Sequence, residues 1–191
     1  MVVYTVGHST RPLADFLALL AAHRIAAVAD VRRFPASRRH PHFGREPLAA
    51  ALGEAGLLYR WLPGLGGRRR ARPDSPHVGW RNEGFRAYAD HTETAEFRDA
   101  MASLLALAEE HPTAIMCAEA VPWRCHRQLI ADALVARGVE VRHIIGPSPA
   151  EPHRLTAFAR REGEGIVYDG GQPELVSAGA GSPFRSRRDR P

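Results

Sequence analysis

Short buried segments alternate with amphipathic helical segments through most of this 191-residue chain. The buried segments are rich in Val, Ile and Ala without polar alternation, which is typical of strands covered on both faces. Predicted strands lie at residues 2–6, 25–31, 57–62, 113–116 and 140–145. Strands that alternate with helices predict parallel βαβ units. We therefore predict an α/β fold of three layers, with a mostly parallel central sheet of about five strands and helices on both faces.

The alternation of strands and helices ends near residue 146, and this boundary defines the domain organisation. Residues 1–146 are long enough for one domain with its own core, which we expect to carry the function. Residues 147–169 contain two short apolar stretches, so we expect this C-terminal extension to pack on the domain. Residues 170–191 are rich in Arg, Gly, Pro and Ser, a composition typical of a disordered tail.

The charge of the chain indicates an anionic partner. All 26 basic residues are arginine, and the formal net charge is +5. A guanidinium binds phosphate with a planar fork that an ammonium lacks. We expect nucleic acid as the partner, DNA before RNA, although solubility alone would also account for a basic chain.

Membrane and secretory classes are not expected. No apolar run approaches the roughly 20 residues that cross a bilayer, so we expect no membrane partner. The first predicted strand begins at once, without the pattern of a secretory signal. Two cysteines form no disulfide framework. A cytoplasmic location is therefore expected.

Polar turns follow three of the predicted strands. His8 and Ser9 follow the first strand, and the second strand ends in a polar turn that begins at Asp30 and includes Arg32. The third turn, residues 117–127, reads Cys-Ala-Glu-Ala-Val-Pro-Trp-Arg-Cys-His-Arg. Ligands bind at the carboxyl ends of the strands in open parallel sheets. We therefore expect the three turns to meet at one site.

The third turn offers thiol chemistry as well as anion binding. Cys125, His126 and Arg127 begin a predicted helix, where free backbone N–H groups favour an anion and lower a thiol pKa. Cys117 lies at the end of the preceding strand. Both cysteines are candidate nucleophiles, but a small buried apolar role is the commoner fate of a free cysteine.

A metal site is not expected from the spacing of the candidate ligands. Cys117, Cys125, His126 and His8 are residue types that bind zinc. Structural zinc sites, however, bring ligand pairs two to four residues apart, and here seven residues separate the thiols with no second pair. We therefore expect neither a metal nor any other cofactor.

The carboxylates of Glu119 and Asp30 suit hydrolysis. Two carboxylates on one sheet edge can stabilise a cation and activate water. We select both as catalytic candidates, together with His8 and His126. The structural alternative is that Asp30 caps or pairs with Arg32 or Arg127, and that Glu119 pairs with Arg124.

A loop at residues 63–82 interleaves arginines with aromatic rings, which is typical of nucleic-acid contacts. Candidate phosphate-binding or nucleic-acid-binding residues are Ser9, Arg32, Arg33, Arg68, Arg69, Arg70, Arg81, Asn82, Arg124 and Arg127. Candidate base-stacking residues are Trp80, Phe85 and Trp123. A solvated loop with its aromatic rings in the core is the alternative.

Several of these motifs together resemble a known family. They are Gly-His-Ser after the first strand, Asp-Val-Arg-x-x-Pro after the second, Gly-Trp-Arg-Asn-Glu-Gly-Phe at 79–85, and Cys-x-Glu with Cys-His-Arg in the third turn. The chain resembles the family called domain of unknown function 488 over about residues 2–146. The resemblance implies a fold and a set of motif positions but no reaction. The matching positions are His8, Ser9, Asp30, Arg32, Pro35, Trp80, Arg81, Asn82, Cys117, Glu119, Cys125, His126 and Arg127.

These features favour an enzyme that hydrolyses a nucleic acid or nucleotide. The reaction we expect first is cleavage of the N-glycosidic bond of a modified or damaged base in DNA, by an enzyme of the DNA glycosylase type acting in DNA repair. A cysteine-dependent enzyme for sulfur transfer, phosphoryl transfer or redox chemistry is the second reading. A nucleic-acid-binding module without catalysis is the third.

Overall fold

The structure is a computed structural model that describes residues 1–36 and 39–170. Its main sheet contains six strands, in the order β3-β2-β4-β1-β5-β6. The strands are β1 (Val2–Gly7), β2 (Ala27–Asp30), β3 (Leu58–Trp61), β4 (Thr113–Cys117), β5 (Glu140–Ile144) and β6 (Glu151–Pro152). The first five pair in parallel, and β6 is antiparallel to β5 at one edge.

Five helices connect the strands. They are α1 (Leu13–Ala22), α2 (Arg45–Glu54), α3 (Glu83–Thr92), α4 (Ala95–Glu110) and α5 (Arg127–Ala136). The side chain of Thr94 caps α4 by accepting a hydrogen bond from the backbone N–H of Phe97. Gly138 follows α5 with a positive φ, which ends the helix without steric cost.

Apolar side chains cover both faces of the sheet. Phe16 of α1 and Leu48 of α2 pack with Val28 and Met116 on one face. On the other face, α3, α4 and α5 contribute a second core that includes Ala29 and Ile115 of the same strands, and it is the larger of the two. Neighbouring residues of one strand thus enter different cores, as expected for strands buried on both sides. The predicted α/β fold with a mostly parallel central sheet is confirmed.

The segment that follows β5 packs against the α/β domain. A hairpin of β7 (Arg160–Glu162) and β8 (Gly165–Val167) precedes Tyr168, which is buried in the larger core. The hydroxyl of Tyr168 donates a hydrogen bond to Asp132 of α5. Apart from Gly170, the tail predicted at 170–191 lies outside the described residues. Among the described helices, none combines the length and apolarity that a membrane crossing requires.

Candidate functional site

The polar turns after β1, β2 and β4 meet at the carboxyl edge of the sheet. The backbone N–H of His8 donates to the carbonyl of Cys117 at 3.0 Å, and that of Val31 donates to the carbonyl of Met116 at 3.0 Å. These bonds continue the parallel ladder beyond the strands. They bring together residues that are 109 positions apart (His8 and Cys117) and 85 positions apart (Val31 and Met116) in the sequence.

A cavity of about 560 Å³ opens between these turns. Of the residues predicted from the sequence, those that line it are His8, Ser9, Arg32, Arg33, Arg68, Cys117, Glu119 and His126. The volume is that of a small-molecule site. The structure therefore assembles the greater part of the predicted catalytic set around one cavity.

Glu119 is held in place through its backbone, and its side chain is free. A Cβ atom added to Gly7 would lie 1.8 Å from the Glu119 carbonyl oxygen, so only glycine allows this close approach. The fully buried Arg127 donates to the same carbonyl from its Nη2. The carboxylate of Glu119 is exposed at the cavity and forms no ion pair with any residue in 1–36 or 39–170. The predicted alternative, a bond from Glu119 to Arg124, is not formed.

Asp30 is a positioning residue and does not reach the cavity. Its buried carboxylate accepts hydrogen bonds from Arg32 Nε at 2.8 Å and from the Tyr59 hydroxyl at 2.8 Å. The Arg32 backbone N–H binds it as well. With its oxygens occupied in this way, Asp30 is not placed to activate water. This geometry matches the structural alternative for Asp30, its pairing with Arg32.

His8 is a neutral imidazole at the cavity wall. Its Nδ1–H donates to the carbonyl of Ser9 at 2.9 Å, which leaves Nε2 unprotonated at 3.4 Å from an Arg32 nitrogen. Burial lowers the pKa of His8 from 6.5 to about 4. The ring also stacks on Phe43, with centroids 4.1 Å apart. His8 therefore presents a lone pair, and no charge, at neutral pH.

Two arginines supply free positive charge to the cavity. Arg33 and Arg68 both line it, and neither forms an ion pair within the described part of the chain. Arg68 is exposed and has a φ of 61°, a strained backbone for a residue other than glycine. These two guanidiniums are therefore available to bind an anion.

The other predicted phosphate-binding residues do not line the cavity. Arg69 donates two hydrogen bonds to Glu96 and so fastens its loop to α4. Arg127 is fully buried and contacts backbone, so it cannot reach a phosphate. The side chain of Asn82 caps α3 by accepting from Gly84 and Phe85. The remaining candidates are exposed outside the cavity lining: Arg70, Arg81 and Arg124.

The predicted stacking residues are not available at the cavity. Trp80 and Phe85 stack on each other, with centroids 4.8 Å apart, and Phe158 packs edge-on against Trp80. Trp123 is exposed but does not line the cavity. The sequence analysis missed Phe34, which lines the cavity and is 63% exposed. Its place directly after Arg32 and Arg33 in the second polar turn was the available signal.

Thr10 and Gly67 were also missed, although both line the cavity. Thr10 follows the predicted Gly-His-Ser motif directly. Gly67 approaches the ring of His126, where an added Cβ would lie 3.0 Å from Nδ1. A glycine immediately before the run of arginines was the only local signal for that contact.

Two thiols and an imidazole meet at the floor of the cavity. The Nδ1 atom of His126 lies 3.5 Å from Cys125 Sγ and 4.0 Å from Cys117 Sγ. His126 Nε2 donates to the carbonyl of Val31 at 2.9 Å, which leaves the Nδ1 lone pair directed at the sulfurs. Cys117 and His126 line the cavity, whereas Cys125 lies behind them. The end of β4 thus supplies Cys117, and the residues just before α5 supply Cys125 and His126.

The pKa values of the two thiols are shifted in opposite directions. The hydrogen bond with Cys125 raises the pKa of Cys117, and burial raises it further. The hydrogen bond from Cys117 lowers the pKa of Cys125 well below its ordinary value, and the nearby guanidinium of Arg127 acts in the same direction. Of the two thiols, Cys125 is therefore the one that loses its proton more readily.

Comparison with known proteins gives one family. The family model described as Domain of unknown function DUF488 matches residues 12–134, which is more than half of the chain. No curated protein and no solved structure matches the chain. The matched range includes the second and third polar turns, and β1 and His8 precede it.

Proposed function

We propose that this chain, which belongs to the family Domain of unknown function DUF488, is a hydrolase that acts on a nucleotide or nucleic acid at the sheet-edge cavity. One observation carries the proposal. The carboxylate of Glu119 stands without an ion pair among the described residues, in a cavity where Arg33 and Arg68 also lack one. Arginines can hold a phosphate while the free carboxylate acts on water or on a developing cation.

The substrate class follows from the lining of the cavity. Arg33 and Arg68 suit phosphate groups, and the exposed ring of Phe34 suits the face of an unstacked base. The volume of about 560 Å³ accepts one nucleoside but not a duplex. A base within DNA would therefore have to leave its stack to enter, which is least costly for a modified or damaged base.

The reaction we propose is hydrolysis of the N-glycosidic bond. The bond between the sugar C1′ and the base nitrogen breaks, and the electron pair leaves with the base. The oxygen of a water molecule bonds to C1′, and one of its protons passes to the carboxylate of Glu119. The leaving base takes up a proton from solvent. Glu119 also stabilises the positive charge that develops on the sugar.

The roles of the other residues support this step. Arg32 is held by Asp30 and by the carbonyl of Phe43, so its guanidinium forms a fixed part of the cavity wall. His8 Nε2 is unprotonated and can accept a hydrogen bond from the substrate. DNA as the preferred nucleic acid belongs to this proposal, as does a cytoplasmic location, which would keep both free cysteines reduced.

The test is base release from a panel of oligonucleotides with modified bases, measured by mass spectrometry. We expect turnover of at least one substrate by the wild type and a loss of about 10²- to 10⁴-fold in kcat for Glu119→Gln. The matched control is Glu109→Gln, an exposed glutamate near the end of α4 that does not line the cavity. Equal kcat values for the Glu119→Gln variant and the wild type would contradict the role of Glu119.

The same experiment separates the two other readings. Binding without turnover on every substrate would indicate a non-catalytic nucleic-acid-binding module. Turnover that survives Glu119→Gln and disappears after alkylation of Cys117 would indicate a cysteine-dependent enzyme. The absence of salt-sensitive binding to any DNA or RNA would exclude a nucleic-acid substrate.

A further inference from the structure

We propose that Cys117, Cys125 and His126 bind one zinc-type divalent metal ion, with the fourth coordination position open to the cavity. The three ligand atoms lie within 4.8 Å of one another. Cys117 comes from the end of β4, and Cys125 and His126 precede α5. The fold brings the thiol of Cys117 close to Cys125 and His126, although seven residues separate the two cysteines in the sequence.

The two distances between His126 Nδ1 and the cysteine sulfurs fit tetrahedral coordination. With bond lengths of about 2.3 Å to sulfur and about 2.05 Å to nitrogen, ligand atoms around a tetrahedral zinc ion lie about 3.6 Å apart for nitrogen and sulfur. The observed Nδ1 to Sγ distances are 3.5 Å for Cys125 and 4.0 Å for Cys117. Both nitrogen-to-sulfur distances therefore agree with the tetrahedral value to within a few tenths of an ångström.

His126 is oriented as a metal ligand. A histidine that binds zinc through one nitrogen usually donates its other N–H to a carbonyl or carboxylate, which fixes the tautomer. Here Nε2 donates to the carbonyl of Val31 at 2.9 Å, so Nδ1 carries the free lone pair. The centroid of the Tyr88 ring lies 5.1 Å from that of His126, and Gly67 lies close enough to the ring that an added Cβ would be 3.0 Å from Nδ1.

The charges of the three ligands also suit a divalent ion. Binding releases the protons of both thiols, and two thiolates cancel the charge of a divalent ion. The ion would be nearly buried, because Cys117 and Cys125 are only 7% and 4% exposed. A neutral assembly of this kind avoids the cost of an isolated buried charge.

The open position distinguishes this site from a structural zinc site. No fourth histidine, cysteine or carboxylate within 1–36 and 39–170 joins the cluster. Because Cys117 and His126 line the cavity, the unfilled side of the ion faces the same space as Glu119. Three protein ligands with an exchangeable water are typical of catalytic zinc. If the proposed hydrolysis holds, an ion held by these three residues would supply an activated water on the side of the cavity that Glu119 lines.

The experiment measures metal binding without any substrate. The full chain is purified from zinc-supplemented medium, and its metal content is determined by mass spectrometry. We expect about one zinc ion per chain in the wild type and less than about a tenth of an ion in Cys117→Ser, Cys125→Ser and His126→Gln. Glu119→Gln is the matched control, since it keeps all three ligands and should retain the ion.

A second measurement uses the wild type alone, because the ligand variants could fail to fold. The metal-free chain is titrated with Co²⁺, and we expect one equivalent to produce a thiolate-to-cobalt charge-transfer band. Both thiols should become unreactive toward a disulfide reagent and recover after chelation. A missing band, or quantitative formation of a Cys117–Cys125 disulfide in place of metal binding, would overturn the proposal.

These results are independent of the proposed hydrolysis. Zinc bound in the wild type without turnover would support the metal site and reject the function. Turnover by a wild type that binds neither zinc nor Co²⁺ would reject the metal site and support the function.

Discussion

The guanidinium of Arg32 holds both carboxylate oxygens of Asp30, with 2.8 Å from Nε to Oδ1 and 2.5 Å from Nη2 to Oδ2. Arg32 is 7% exposed and Asp30 is fully buried, so this ion pair is largely shielded from water. The pair supports the second polar turn beneath the cavity.

Removing the charge of Asp30 should lower the free energy of unfolding far more than removing one hydrogen bond to its carboxylate. We expect Asp30→Asn to lower the free energy of unfolding by about 3 to 5 kcal/mol, because it leaves a buried guanidinium without its counter-charge. Tyr59→Phe removes one hydrogen bond to the same carboxylate and should cost about 1 kcal/mol. Urea unfolding followed by circular dichroism measures both. A stable Asp30→Asn variant without activity would instead restore a direct catalytic role for Asp30.

The arginines at the cavity should determine the salt dependence of nucleic-acid binding. We expect Arg33→Gln and Arg68→Gln each to weaken binding and to reduce the slope of log K against log salt by about one. The control is Arg24→Gln, an exposed arginine between α1 and β2 at the opposite edge of the sheet. Fluorescence anisotropy at several salt concentrations gives the slopes. Equal slopes for all three variants would contradict a phosphate-binding role of the cavity arginines.

Two buried histidines should make the fold sensitive to acid. Burial lowers the pKa values of His8 and His143 from 6.5 to about 4, and the nearby His153 adds to the effect on His143. The unfolded chain therefore binds protons at a higher pH than the folded chain. Stability is fully present above about pH 6.5 and is lost as the pH falls toward 4, by about 3 kcal/mol for each histidine.

The histidine prediction is checked by urea unfolding at pH 7, 5.5 and 4. His143→Gln should flatten the dependence by removing one of the two buried histidines from the titration. Unchanged stability of the wild type between pH 7 and pH 4 would show that neither histidine resists protonation in the folded chain.

Gly7 should be required for the position of Glu119. We expect Gly7→Ala to cost about 3 kcal/mol of stability and to reduce turnover, because its Cβ would collide with the Glu119 backbone. The control is Gly53→Ala in α2, where an added Cβ meets nothing within 4 Å. That change should raise stability by about 0.5 to 1 kcal/mol. A Gly7→Ala variant with the stability of the wild type would show that the third turn moves freely.

Much of the fold could be predicted from local patterns. The predicted strand at 113–116 agrees with β4. The predicted turns also lie at the carboxyl edge of the sheet. These features depend on apolar periodicity and on turn residues, which act over a few positions of the chain.

The partners of the polar side chains were harder to predict. Asp30 and Glu119 look alike as carboxylates after strands, yet one is buried under Arg32 and the other is free at the cavity. Trp80 and Phe85 suggested a stacking surface, but Phe158 from the C-terminal extension covers one of the rings. Such outcomes depend on segments that are distant in sequence.

The sequence by itself determined the α/β alternation, the places where strands end in polar turns, and the residue types available for chemistry. Only the tertiary structure decided which of these residues share a space. His126 bonds to Val31, which lies 95 positions earlier, and this bond turns its free nitrogen toward Cys117 and Cys125. Periodicity acts between neighbours in the chain, whereas hydrogen bonds and metal ligation require atoms within a few ångströms of each other. Distances of that kind are set by how the helices and strands pack.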